Sequence, residues 1–166
     1  MNKLFIDDLI DRFGCELETI LCGDQNMVKS KLIEFGDCDR FPMICYEHTN
    51  DSNFEVDLSE TKFLNDPIHA GTWIMGINDD EIVFILNLKN RNNISFEIDV
   101  FEVRDELRGS GIGSNLIAVV ESVAEEYYKC IVVSPFDTDA QNFWEKMEYE
   151  TMHTGNLIKR LTYGES

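Results

Sequence analysis

Glycines fall at positions 109, 111 and 113, within the stretch Val103-Arg104-Asp105-Glu106-Leu107-Arg108-Gly109-Ser110-Gly111-Ile112-Gly113-Ser114. Glycine lets a backbone turn tightly and approach a ligand closely. Before this turn, the pattern predicts strands over Thr72 to Ile77, Glu81 to Leu88 and Ile94 to Val103. They are joined by the tight turn Asn78-Asp79-Asp80 and by Lys89 to Asn93. Strands with such short loops must be antiparallel. On the third, Phe96, Ile98 and Val100 alternate onto one face. After the turn comes a helix from about Gly111 to Lys129, with the apolar stripe Ile112, Leu116, Val119, Val120, Val123 and Tyr127. Ile131 to Ser134 follows as a continuously apolar strand. A helical crossover delivers it parallel to the strand ending at Val103. A helix from Asp139 to Met147 and a hairpin, Tyr149 to His153 with Leu157 to Thr162, turned at Thr154-Gly155-Asn156, complete the order βββ-α-β-α-ββ. The expected fold is α+β, a mixed and mostly antiparallel sheet flanked by helices.

The residues before Gly71 are less regular. Leu4, Phe5, Leu9, Ile10 and Phe13 recur at helical spacing, and Gly14 is expected to stop that helix. Glu16 to Cys22 reads as a short strand, and Met27 to Phe35 as a second helix closed by Gly36. Phe41 to Glu47 reads as a strand and His48 to Asn53 as a loop. Ser59 could cap a helix before Lys62, Phe63 and Leu64. The 166 residues show no repeat or low-complexity linker and suit one domain. Within it, residues 1–70 differ in character from 71–163.

Composition narrows the function classes. Apolar residues make up 43% and aromatics 11%, enough for an ordinary core. No apolar run approaches the roughly 20 residues that span a bilayer. The start, Met1 to Asp8, turns acidic at once and resembles neither a signal nor a transit peptide; the expected compartment is the cytosol. Five cysteines, an odd number without a C-x-x-C pair, argue against a disulfide framework and a zinc ribbon. His48, His69 and His153 show no ligand spacing, so no metal is expected; His69 could line an acceptor pocket. The formal charge is −18, from 32 acidic and 14 basic residues. Such a field repels nucleic acid and anionic membrane and attracts amines, polyamines or basic peptides. Simple solubility would explain the same charge.

The glycine turn is where chemistry concentrates. Its amides sit at a helix N-terminus, the positive end of the helix dipole, which suits a pyrophosphate. Backbone donors can hold a polyanion even on an acidic chain. A ligand-free glycine turn remains the alternative. A P-loop would need Gly-Lys-Ser or Gly-Lys-Thr, which is absent. A dinucleotide fold would need a parallel βαβ unit, and the preceding strands are hairpins.

The stretch resembles the phosphate loop of the GNAT acyltransferase superfamily, [Gln/Arg]-x-x-Gly-x-[Gly/Ala]. Arg108, Gly111 and Gly113 fill its fixed positions, and Val103, Glu106, Leu107, Gly109, Ile112 and Ser114 are common family choices. The strand order from Thr72 to Thr162 is similar as well. The resemblance implies transfer of an acetyl group from acetyl-CoA to a primary amine of a small molecule or protein. It implies that the strand before the loop splays from the strand after the helix. The pantetheine arm would pair with Phe101, Glu102 and Val103 like an added strand. The Val103 amide would stabilise the thioester oxygen as it becomes an oxyanion. Amides of Arg108, Gly109, Ser110, Gly111, Ile112, Gly113 and Ser114 would hold the pyrophosphate. Residues 1–70 would contribute the acceptor side, and an oligomer is left open.

An amine must lose a proton to attack. Histone-acetylating members of the superfamily carry a glutamate eleven residues before the first loop position, which here is Glu97. Asp99 is the neighbouring candidate. Both lie at even separations from Val103 and so share its face, unless a bulge intervenes. Outward alternation on a half-buried strand would explain Glu97 equally well. The family's Asn-x-x-Ala-x-x-Phe-Tyr-x-x-x-Gly-Phe pattern is similar to Asp137 to Tyr149. Ala140, Phe143 and Tyr149 fit, and Asp137 and Phe143 join the expected cofactor site. Trp144 stands where the proton-donating tyrosine would be, and an indole N–H only donates hydrogen bonds. Ala140, Phe143, Trp144 and Met147 also form a plain core stripe. Water could protonate the thiolate, since a thiol pKa is ~8.5. Trp144 and Asp137 leave a second reading open, a non-catalytic acyl-CoA sensor or partner-docking module.

Overall fold

The computed structural model describes residues 1–21, 30–38, 71–78, 81–104, 107–135 and 137–162. The readings made above for 22–29, 39–70, 79–80 and 105–106 lie outside them. The elements are α1 (Lys3–Leu21), β1 (Ser30–Cys38), β2 (Gly71–Asn78), β3 (Glu81–Asn90), β4 (Ser95–Val103), α2 (Ile112–Ala124), β5 (Cys130–Val133), α3 (Thr138–Lys146), β6 (Glu150–Thr151) and β7 (Leu157–Arg160). One seven-stranded sheet runs in the order β1-β2-β3-β4-β5-β7-β6. Every pairing is antiparallel except β4 with β5. This is the expected α+β mixed sheet with a splayed parallel pair.

The core fills one face of the sheet. Leu86 and Leu88 of β3, Phe96 and Ile98 of β4, and Ile131 and Val133 of β5 are buried there against α1 and α2. Helix α1 supplies Phe5, Leu9 and Phe13, all 0% exposed. The Phe5 ring lies 5.0 Å from Phe96 and 5.1 Å from Tyr128, and Phe96 lies 4.8 Å from Tyr128. Each such aromatic pair contributes about 0.5–1.5 kcal/mol beyond its buried area. The N-terminal helix is therefore part of the same core as the glycine-turn half.

Three expectations are corrected. The first helix does not stop at Gly14; it continues to Leu21, so residues 16–21 are helix and not strand. An interior glycine costs only about 1 kcal/mol relative to alanine, less than the buried apolar face stabilises. The described part of the expected helix at Met27 to Phe35 is strand β1. It pairs with β2 from Ser30↔Asn78 to Phe35↔Trp73, and that edge pairing overrides a weak helical spacing. Finally, α2 ends at Ala124, short of Lys129. The amides of Tyr127 and Tyr128 both donate to the Ala124 carbonyl, at 2.9 and 2.8 Å. That turn brings Tyr128 into the ring cluster with Phe5 and Phe96.

Gly76 of β2 stands opposite Phe84 of β3, and a Cβ there would overlap the buried Phe84 ring. Gly76→Ala should lower stability by about 1–3 kcal/mol in a denaturant melt, the usual cost of overpacking. Shrinking the ring with Phe84→Leu in the same chain should make the two losses less than additive. Additive losses would show that the two positions do not clash.

Candidate functional site

Strands β4 and β5 pair from Ser95↔Cys130 to Ile98↔Val133 and no further. Strand β5 ends there, while β4 runs on to Val103. A cavity of about 450 Å³ opens beyond the parting, within the range of small-molecule sites. Phe101, Glu102 and Val103 line it from β4, and Arg108, Gly109, Gly111, Gly113 and Ser114 from the turn and α2. Asp137, Asp139, Ala140, Phe143, Trp144 and Lys146 close it from the α3 side. Most residues expected to hold the cofactor are thus brought together. Ser110 and Ile112 are not among the lining side chains: the Ser110 hydroxyl donates to the Leu107 carbonyl at 2.6 Å, and Ile112 packs in the core. Sequence reasoning missed Asp139, Ala140, Trp144 and Lys146 as lining residues. Their recurrence at helical spacing on α3 was the available signal.

The turn has the geometry its glycines suggested. Gly109 and Gly111 have φ of 81° and 85°, the left-handed region that favours glycine. Nothing lies within 4 Å of where a Cβ would stand on either. Gly111 is the N-cap of α2 and supplies no side-chain cap, and the first turn carries no acid. The leading amides of α2 therefore have no capping side chain, and the positive end of its dipole meets the cavity.

The Arg108 side chain turns back onto β4. Its Nε donates to the Val103 carbonyl at 2.8 Å, and its Nη2 to Glu102 Oε1 at 2.8 Å. The Glu102 side chain is only 6% exposed. The ion pair neutralises a buried carboxylate in a cleft suited to anions, and it ties the turn to β4.

The base candidates stand on a bulged strand. Leu88 pairs with Ile98 but Asn87 pairs with Val100, leaving Asp99 as the extra residue of β4. Directly opposed residues share a face. Ile98, Phe101 and Val103 therefore lie with Leu88, Leu86 and Phe84 on the core face, and Glu97, Val100 and Glu102 lie on the other, with Lys89, Asn87 and Ile85. This corrects two parity readings: Val100 does not share a face with Phe96 and Ile98, and Glu97 does not share one with Val103. The bulge inverts the alternation between them. A strand amide lies in the plane of the sheet, so the Val103 N–H can be approached from the Glu97 face as well. Glu97 Oε1 accepts a hydrogen bond from the Ser134 hydroxyl at 2.8 Å, and its Oε2 stands 3.9 Å from Arg91 Nη1. Asp99 is held in an ion pair with Lys89 at 2.9 Å.

On α3, the Asp137 carboxylate caps the helix by accepting from the Ala140 amide at 2.8 Å. Trp144 is 5% exposed, with ring centroids 5.0 Å from Phe143, 5.0 Å from Tyr149 and 6.1 Å from Phe101. That is the packing role expected of it. Tyr149 offers no substitute acid. Its buried hydroxyl has no hydrogen-bond partner among the described residues, and burial, with the Glu121 charge nearby, pushes its proton affinity well above the usual phenol range. Among the described residues, no group of three His, Cys, Asp or Glu could hold a metal, and no helix is long and apolar enough to cross a membrane.

Gly111→Asp should weaken acetyl-CoA binding at least tenfold, about 1.4 kcal/mol, in calorimetry on a folded variant. It puts a charge at the open α2 terminus and strains a positive-φ position; unchanged affinity would remove the phosphate site from the turn. Trp144→Phe should keep most activity, and Trp144→Tyr should not raise the rate much, because the indole packs. A large gain in the tyrosine variant would reveal a missing proton donor.

Comparison with known proteins agrees with this geometry. The family model described as acetyltransferase (GNAT) family matches residues 42–149. Among solved structures, a mutant AtaT toxin bound to the C-terminus of the antitoxin AtaR and acetyl-CoA is 12% identical, with a TM-score of 0.53 over 80% of this chain and 94% of that one. Ard1 from Thermoplasma volcanium is 14% identical, with a TM-score of 0.46 over 54% of this chain and 70% of that one. A nourseothricin acetyltransferase is 16% identical, with a TM-score of 0.43 over 54% of this chain and 64% of that one. No curated protein matches the chain in sequence. The matched family model spans most of the chain, including β4, the glycine turn, α2 and α3, and the chain belongs to the GNAT acetyltransferase family.

Proposed function

We propose that this protein transfers an acetyl group from acetyl-CoA to a primary amine of a small molecule or a protein. One observation carries the reading: the uncapped α2 terminus and the stretch of β4 that runs on past the end of β5 line a single cavity. The α2 amides bind the pyrophosphate there. Phe101 to Val103 hold the pantetheine arm, and the Val103 amide donates to the thioester oxygen as charge develops on it. Glu97 takes the proton from the amine. It suits that role better than Asp99, whose charge Lys89 already compensates at 2.9 Å. Water returns a proton to the departing thiolate. Residues 1–70 contribute the acceptor side, the net charge of −18 favours a cationic acceptor, and an odd number of cysteines without a C-x-x-C pair suits the cytosol.

The second reading, an acyl-CoA sensor, is favoured by one observation: neither Trp144 nor the buried Tyr149 can supply a proton. Pure protein is mixed with acetyl-CoA, a thiol reagent and one amine at a time, drawn from spermidine, a lysine-containing peptide, an aminoglycoside and hydroxylamine. Amine-dependent CoA release supports the enzyme. Binding of acetyl-CoA without turnover supports the sensor. Glu97→Gln should lower kcat by ~10²–10⁴-fold, the usual scale of general-base catalysis, with acetyl-CoA affinity kept. Near-normal turnover in Glu97→Gln beside an inactive Asp99→Asn would move the base to Asp99.

A further inference from the structure

The face of the sheet that carries Glu97 also carries Ser134 and Asn156, which the reaction above does not use. Glu97 pairs with Val132 across the parallel strands, so Ser134, two residues on, stands on the same face just where β4 and β5 part. Val133 pairs with Leu157 of β7, which brings Asn156 beside Ser134. The Ser134 hydroxyl lies 2.8 Å from Glu97 Oε1 and 3.3 Å from Asn156 Oδ1. It has one proton to give, and the carboxylate is the stronger acceptor. Turning the Asn156 amide about its axis would present an N–H to the same hydroxyl oxygen. Ser134 and Asn156 are both half-buried, and the Glu97 side chain is 18% exposed. A carboxylate this short of solvent takes its orientation from the groups around it, here Ser134 and the more distant Arg91.

We propose that Ser134 is a positioning residue for proton removal from the amine: it fixes one oxygen of Glu97 so that the other faces the acceptor, and Asn156 fixes Ser134 in turn. The arrangement rests on Glu97 as the base. It divides the labour between the strands that part, with β4 carrying the proton acceptor and β5 carrying its support. Proton balance is kept. A protonated amine gives one proton to Glu97 Oε2, the oxygen 3.9 Å from Arg91, and the attacking nitrogen gives its second to water as the tetrahedral intermediate collapses; the Ser134 hydroxyl keeps its own, and Glu97 releases its proton to solvent after the acetyl group has moved.

The test compares kcat and acetyl-CoA affinity in wild type, Ser134→Ala, Ser134→Thr, Asn156→Ala and Glu97→Gln. Two acceptors are used: the best protonated alkylamine of the panel above, and hydroxylamine, which is uncharged near neutral pH. Losing a hydrogen bond to a charged group should cost Ser134→Ala about tenfold or more in kcat with the alkylamine. Acetyl-CoA affinity should stay within about twofold, since Ser134 lies outside the phosphate turn. Ser134→Thr, which keeps the hydroxyl, should restore most of the rate, and Asn156→Ala should show a smaller loss of the same kind. The deficit should shrink with hydroxylamine, which has less need of a base. Equal deficits with both acceptors, or no rescue by threonine, would reduce Ser134 to a structural role and overturn the inference. So would full activity in Ser134→Ala while Glu97→Gln is impaired, and that result would leave the acetyl-transfer reading intact. No CoA release from wild type with any amine would overturn that reading and the inference together.

Discussion

The pairing of β4 with β5 is the constraint on which the site depends, because it stops partway along β4. A parallel pair normally continues until one strand leaves the sheet. Here β5 ends at Val133 while β4 continues to Val103, held by β3 on its other edge. Past Val133 the β5 side of β4 borders the cavity, where backbone groups can take partners other than a strand. An extended ligand can supply them, as in the strand-addition mode of peptide recognition. Everything else converges on that gap: α2 aims its open terminus at one end, α3 walls it with Phe143 and Trp144, and the β4 bulge sets which side chains stand over it.

The glycine-rich half of the fold was legible in the sequence because each element carried a strong local signal. Tight turns marked β2 and β3, alternation marked the first half of β4, an apolar stripe marked α2, and a continuous apolar run marked β5. The order of strands followed from loop lengths and from the handedness of a helical crossover. The first part of the chain was less legible because its local signals were overruled. Gly14 reads as a stop, yet helix α1 continues through it. Residues from Ser30 on read as helix, yet they add a strand to the edge formed by β2.

For the site, residue types and spacing were sufficient to place the glycine turn at a helix N-terminus, and the family resemblance singled out β4 and its acids. They were insufficient to say which way those acids face. A single extra residue at Asp99 reverses the alternation, and nothing in the local sequence announces it, since a bulge is a relation between two strands. Ser134 and Asn156 escaped for a related reason. They meet Glu97 only through pairings that span 37 and 22 residues of chain, which no spacing rule along one strand can show. Arg108 matched the family pattern, yet its side chain is spent on Glu102 and the Val103 carbonyl, so a motif position can be kept for the scaffold beneath a ligand.

The burial of Phe5 against Phe96 and Tyr128 bears on modularity. Phe96 lies at the start of the strand that later lines the cleft, and Tyr128 lies just after the helix whose N-terminus borders it. A fragment beginning at Gly71 would keep every described residue that lines the cleft and still lose the ring packed between those two elements. The catalytic half is therefore no autonomous unit that could be excised or grafted elsewhere: the opening helix is its keystone, placed at the far end of the sequence from the cleft it supports.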